Sequence, residues 1–274
     1  MKDFQMIPTA IIPLSEGAEN VFDGTWPDQI LSRVSRAELH AYEIETPKAR
    51  ILVCSGGGYV KIMHDREGVD VALWLNSLGY AAYVLVHRLP GANNDTGGVW
   101  PKDVALTDGL AAVARIPSDL PLFLVGLSSG GHLAGVIACQ PEVRPAGVIM
   151  AYAPINANHV DYKAPADKPD YPPLEKQAFY NDWPIGLAAE PHGIPTCPAF
   201  LAYALHDSPV PIEHALNFIK TARDAGSDVD IHIFGQAPHG FALRERDGTH
   251  AAWPALAADW IRRKLPLLEQ VHCL

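Results

Sequence analysis

Residues 120–139 read Leu-Pro-Leu-Phe-Leu-Val-Gly-Leu-Ser-Ser-Gly-Gly-His-Leu-Ala-Gly-Val-Ile-Ala-Cys. The apolar run 120–126 predicts a buried strand, and 130–139 predicts a helix. Between them stands Gly126-Leu127-Ser128-Ser129-Gly130, a GxSxG pentapeptide. A sharp strand-to-helix turn of this kind holds its central serine in a strained conformation with Oγ exposed, and glycines on both sides let the chain pass without Cβ clashes. Ser128 is thereby a candidate nucleophile at the elbow between this strand and the helix 130–139. A tight turn with an inert serine is the alternative.

Working outward, the same alternation continues in both directions. Apolar or period-two runs predict strands at 39–45, 50–55, 80–87, 146–152, 198–205 and 229–234. Helical spacing predicts helices at 65–78, 101–116, 211–225 and 250–265. Strands alternating with helices of these lengths imply an α/β fold: a mostly parallel central sheet with helices on both faces. Ligands then bind beyond the carboxyl ends of the strands. The rhythm breaks at 153–195, where eight of the 24 prolines fall. That density predicts an irregular insertion after the strand that follows the elbow helix, either a lid or substrate loop or a passive surface excursion. The expectation is one domain, 1–274, carrying this insertion.

A serine nucleophile needs a base and an acid in the order Ser…Asp/Glu…His at strand ends. Asp207 lies two residues past the strand at 198–205, and His239 five residues past the strand at 229–234. His232 falls inside a strand, His214 inside a helix, and His132 reads as a packing residue of the elbow helix. Oxyanion donors should include the backbone N–H of Ser129, with others from the glycine-rich loop Ser55-Gly56-Gly57-Gly58-Tyr59. That loop lacks the GxxxxGK[ST] and GxGxxG patterns of phosphate sites. Tyr59, Trp100 and Trp183 are candidates either for stacking on a sugar or aromatic acyl group or for core and lid packing. The loop 88–100, rich in amides and ending in Trp100, offers the mixture of groups a sugar requires. His64-Asp65 and His206-Asp207 have no further ligand at metal spacing, so no metal is expected.

Composition excludes other classes. The chain has 274 residues, 48% hydrophobic and 19% charged, with a formal charge of −10. Arg262, Arg263 and Lys264 are its densest basic cluster, so no nucleic-acid partner is expected. No apolar run reaches bilayer length, so no membrane partner is expected either. Cys54, Cys139, Cys197 and Cys273 form no CxxC pair and read as plain thiols. The first residues make a poor secretory signal, which leaves the cytoplasm as the expected location. Oligomeric state is not readable from these patterns.

Four segments together resemble the α/β-hydrolase serine esterases. They are the Gly56-Gly57-Gly58-Tyr59 loop, residues 126–134, Asp207-Ser-Pro-Val-Pro, and Pro238-His239-Gly-Phe241. More narrowly, the chain is similar to the bacterial acetyl-xylan and feruloyl esterase-like branch, over roughly residues 40–265 and in the leader at 12–18. The resemblance implies Ser128 as nucleophile, Asp207 and His239 as its partners, and Gly57, Gly58 and Ser129 as oxyanion donors. It implies hydrolysis of short acyl esters, acetyl above all, of small molecules or oligosaccharides, with no cofactor. Ser55 stands where lipase relatives carry histidine in HGGG. A peptidase, a thioester or lactone hydrolase, and a non-catalytic binding protein of the same fold are the alternatives.

Overall fold

Eight strands form one sheet in the order β1-β2-β4-β3-β5-β6-β7-β8 in a computed structural model that describes residues 7–156, 172–187 and 193–271. In chain order the strands are β1 (Ala10–Pro13), β2 (Glu38–Tyr42), β3 (Arg50–Cys54), β4 (Ala81–Val86), β5 (Leu122–Leu127), β6 (Gly147–Ala151), β7 (Ala199–Ala204) and β8 (Val229–Phe234). Pairing is antiparallel from β1 to β2 and from β2 to β4, and parallel through all the rest. The mostly parallel sheet matches the expectation.

The central strands are apolar throughout because both faces are covered. Leu52 and Cys54 of β3 and Leu201 and Tyr203 of β7 enter one core, and Ile51, Val53, Phe200 and Ala202 enter the other. Successive side chains of a strand point to opposite faces, so every position of such a strand is buried. The first core is covered by α2 (Val104–Arg115), α3 (Ser129–Ala138), α4 (Leu174–Asp182) and α5 (Glu213–Ala225). The second is covered by α1 (Asp70–Ser77) and α6 (Trp253–Val271).

Three elements differ from the sequence reading. β1 falls in a proline-interrupted stretch that periodicity passed over, and it forms because its four residues pair with β2 at the sheet edge. The helix expected over 65–78 begins as a π-turn, Asp65–Val69, before α1. The segment 153–195 contains a helix, α4, that starts directly after Pro172 and Pro173, where missing N–H groups cost a helix nothing. Residues 157–171 and 188–192 of that segment, and Cys273, lie outside the described residues.

Candidate active site

β5 delivers Ser128 at the carboxyl edge of the sheet, where α3 begins. Ser128 has φ 51° and ψ −128°, a backbone conformation that non-glycine residues rarely adopt. Its N–H donates to Ala151 O of β6 at 2.9 Å, which holds the turn against the neighbouring strand. The flanking glycines answer to packing as well as to the turn. A Cβ on Gly126 would collide with Gly130 O, and one on Gly130 would collide with Cys54 O at the end of β3.

Three candidate residues come together in one line. Ser128 Oγ lies 3.2 Å from His239 Nε2, and His239 Nδ1 donates to Asp207 Oδ2 at 2.7 Å. Asp207 follows β7, and its other oxygen accepts the Val210 N–H at 2.9 Å, which fixes the carboxylate plane. The Asp207 side chain is fully buried, whereas the imidazole remains about a quarter exposed. A buried acid behind a histidine holds one tautomer, with Nδ1 protonated and Nε2 free to accept the serine proton.

The glycine loop follows β3 and approaches the elbow. Gly57, at φ 130°, has no room for a Cβ, which would strike Lys61 O. Gly58 departs from the expected set of oxyanion donors. Its left-handed backbone, φ 66°, turns its N–H onto Ser129 Oγ at 2.8 Å, so that donor is already engaged. The Gly57 and Ser129 amides remain the candidate pair.

Tyr59 is a correction. It is fully buried, its ring packs edge-on against Phe179, Tyr180 and His132, and its O–H meets His132 Nδ1 at 2.8 Å. No face is left for a sugar, because the tyrosine anchors the loop to the core instead. His132 Nε2 in turn donates to Trp183 O at 2.8 Å. Burial pushes the His132 pKa down to about 4, with only the Trp183 carbonyl opposing it, so this histidine is neutral and structural. Trp183 is half-buried against the core and its Nε1–H donates to Asp103 Oδ1 at 2.9 Å. Trp100 is covered by the Arg88 guanidinium at 4.6 Å, and Asp108 holds Arg88 through both its oxygens. The polar groups of the 88–100 loop are also partly engaged. Asn94 Oδ1 accepts the Thr96 and Gly98 N–H groups, and Asp95 pairs with Arg33.

Over residues 104–266, from the first turn of α2 into α6, the sequence matches the prolyl oligopeptidase family. The chain belongs to that family. An acetylxylan esterase of Xylanibacter ruminicola is 29% identical over 223 residues, 78% of this chain. The chain spans about half the length of that curated relative, 45%. Among solved structures, an acetyl ester-xyloside bifunctional hydrolase from Caldicellulosiruptor lactoaceticus superposes with TM-score 0.63 at 23% identity, covering 94% of this chain and 97% of that one. A carboxylesterase from Lactobacillus plantarum superposes with TM-score 0.61 at 20% identity, covering 90% and 97%. The fold is that of the α/β hydrolases.

A cavity of about 1100 Å³ lies at the opposite, amino-terminal ends of β5 and β6, lined by Ile116, Leu122, Ala146 and Leu265. It is remote from the serine, and chemistry rather than volume marks the site. Among the described residues, no helix is long and apolar enough to cross a membrane, and no group of three or more potential ligands is placed to hold a metal. Two residues near the serine were missed by sequence reasoning. Glu67 lies within the helix expected over 65–78, and Tyr152 is the last residue of the strand expected over 146–152. Nothing local marked either, since only the packing of distant segments brings them to the site.

Proposed function

We propose that this chain is a serine carboxylic-ester hydrolase acting on short acyl esters, with acetate esters of carbohydrates as its substrate class. The observation that carries the reading is the hydrogen-bonded line from Ser128 through His239 to Asp207 at the carboxyl edge of the sheet. Ser128 Oγ attacks the ester carbonyl carbon while His239 Nε2 takes its proton. Asp207 holds the imidazole tautomer and stabilises the imidazolium that forms. The Gly57 and Ser129 N–H groups stabilise the oxyanion. The alcohol leaves with the proton from His239, water enters, and the acyl-enzyme is hydrolysed by the reverse use of the same groups. These side chains and amides complete both steps by themselves.

The substrate class is supported by the names of the relatives, an acetylxylan esterase and an acetyl ester-xyloside hydrolase. A peptidase reading is favoured by one observation, the family match itself, and the same triad would serve it. A panel of acetylated xylo-oligosaccharides, p-nitrophenyl acetate, butyrate and octanoate, a feruloyl ester and a prolyl peptide separates the two. Highest kcat/KM on the acetyl esters is expected. Preference for the peptide or for the octanoyl chain would overturn the substrate class and leave the triad standing. Fluorophosphonate should label the wild type and Ser129→Ala but not Ser128→Ala. A wild type that takes no label would instead be a binding protein.

A further inference from the structure

Directly behind the nucleophile lies a second carboxylate. Glu67 sits in the π-turn Asp65–Val69 and is only 4% exposed. Its Oε2 accepts the Gly56 N–H at 2.8 Å, and its Oε1 accepts the Tyr152 O–H at 3.2 Å. Gly56 leads straight into Gly57. Tyr152 directly follows β6, and its ring stands edge-on to the His239 imidazole at 5.3 Å and to Phe241 at 4.6 Å. A Cβ on Gly56 would collide with Glu67 Oε2 and lie 2.7 Å from Ser128 Cβ. A Cβ on Gly240 would stand 3.8 Å from Glu67 Oε1. The carboxylate therefore lies between the glycine loop, the nucleophile and the residue after His239. Short π-turns of this kind recur at functional sites.

Hydrogen bonding alone does not call for an acid here. A glutamine could still accept from Gly56 through its carbonyl and donate its amide to the Tyr152 oxygen, at the expense of the acceptor that the Tyr152 O–H now has. Burial of an acid is costly: it pushes the Glu67 pKa up, and the Gly56 amide, the charge of His239 and the Tyr152 hydroxyl pull against it. The carboxylate and the His239 imidazole thus lie within electrostatic reach of each other. Ser128 and Asp207 face the His239 imidazole from the elbow and the loop after β7, Tyr152 from just after β6, and Glu67 acts on it from the π-turn, where Arg66 in turn acts on Glu67.

We propose that Glu67 is a positioning residue for the ester chemistry, fixing the Gly56–Gly57 backbone so that the oxyanion donor faces Ser128, and adding a second negative charge that steadies the imidazolium of His239. The inference rests on the triad reading above.

The test measures the pH profile of kcat/KM on p-nitrophenyl acetate, and the rate of fluorophosphonate labelling, in three variants. Glu67→Gln should lower kcat about tenfold and move the acid limb of both profiles to lower pH by about half a unit or more. Glu67→Asp keeps the charge and loses the reach, so its rate should fall with the limb unmoved. If Glu67→Gln does not fold, Tyr152→Phe decides. It strips one donor from the carboxylate, which then protonates more readily, and the limb should move the same way by less. An unmoved acid limb in Glu67→Gln, whatever its rate, overturns the proposal, because a mere structural prop would leave the limb in place. So does an unmoved limb in Tyr152→Phe when that variant alone folds. A wild type that is not labelled at Ser128 refutes the triad reading instead, so the two failures are distinguishable.

Discussion

In the proposed triad, the one carboxylate of Asp207 both orients its partner and stabilises the charge that forms on it. Asp207→Asn keeps the shape and the Val210 contact, yet it can present an N–H where His239 needs an acceptor, which favours the wrong tautomer. We expect kcat to fall by about 10⁴ with unchanged circular dichroism, as such a change does in other triads. Near-normal activity would transfer the role to another acid. His132 carries a different residue-scale consequence. Its folded-state pKa is about 4 against an ordinary 6.5, so between those values the unfolded chain binds the extra proton. Stability from this group is complete above pH 6.5 and is lost as pH falls toward 4, at a slope of up to roughly 1.4 kcal/mol per pH unit. His132→Gln should flatten that part of the stability profile measured by urea unfolding. An unchanged slope would mean that the histidine charges without cost.

The elbow is the element in which local sequence and tertiary contact agree most closely. Its strand–turn–helix reading needed only an apolar run, two glycines and a helical period. What the pattern did not show is that Gly130 also lets α3 touch the end of β3. Gly130→Ala would drive a methyl group into Cys54 O, and overpacking of this kind costs about 1–3 kcal/mol. A matching drop in unfolding free energy, with loss of activity beyond it, is expected. Wild-type stability would show that β3 and α3 can separate. For the 153–195 segment we propose a part in the substrate pocket. Trp183 ties the end of α4 to Asp103 and to His132 of the elbow helix. Trp183→Ala should change the ratio of kcat/KM between butyrate and acetate esters more than it changes the rate on p-nitrophenyl acetate. Equal loss on every ester would make the tie structural.

Across the whole molecule, a buried polar line joins the N-terminal strands to the turn behind the active site. Arg36 donates to Glu38, His40 bonds Glu38 at 2.9 Å, His64 meets His40 at 3.2 Å, and His64 bonds Asp65 at 3.0 Å. Burial raises the Glu38 pKa, but hydrogen bonds from His40, Arg36 and Asn20 outweigh it and hold the group at about 2, below its ordinary 4.5. A depressed carboxylate contributes stability that is present above pH 4.5 and lost as pH falls toward 2. Acid unfolding should therefore steepen again below pH 4.5, after the loss attributed to His132. Glu38→Gln should remove that lower phase. A profile that stays steep below pH 4.5 in the variant would assign the acid lability to other carboxylates.

The sheet and its helices were legible because their causes are local. A run such as Arg50–Cys54 or Ala81–Val86 is apolar at every position, and a central parallel strand needs that, since both of its faces are buried. Ser128, Asp207 and His239 were legible for a related reason: a strand end is recognisable along the chain, and strand ends in a parallel sheet converge. β1 and α4 were harder, because edge pairing and packing onto a core stabilise them more than their own pattern does. The direction of the Gly58 amide, the burial of Tyr59 and the place of Glu67 were decided only in three dimensions. Each depends on a partner more than ten residues away, and a side chain's surroundings, not its type, determine whether it meets solvent, substrate or another charge.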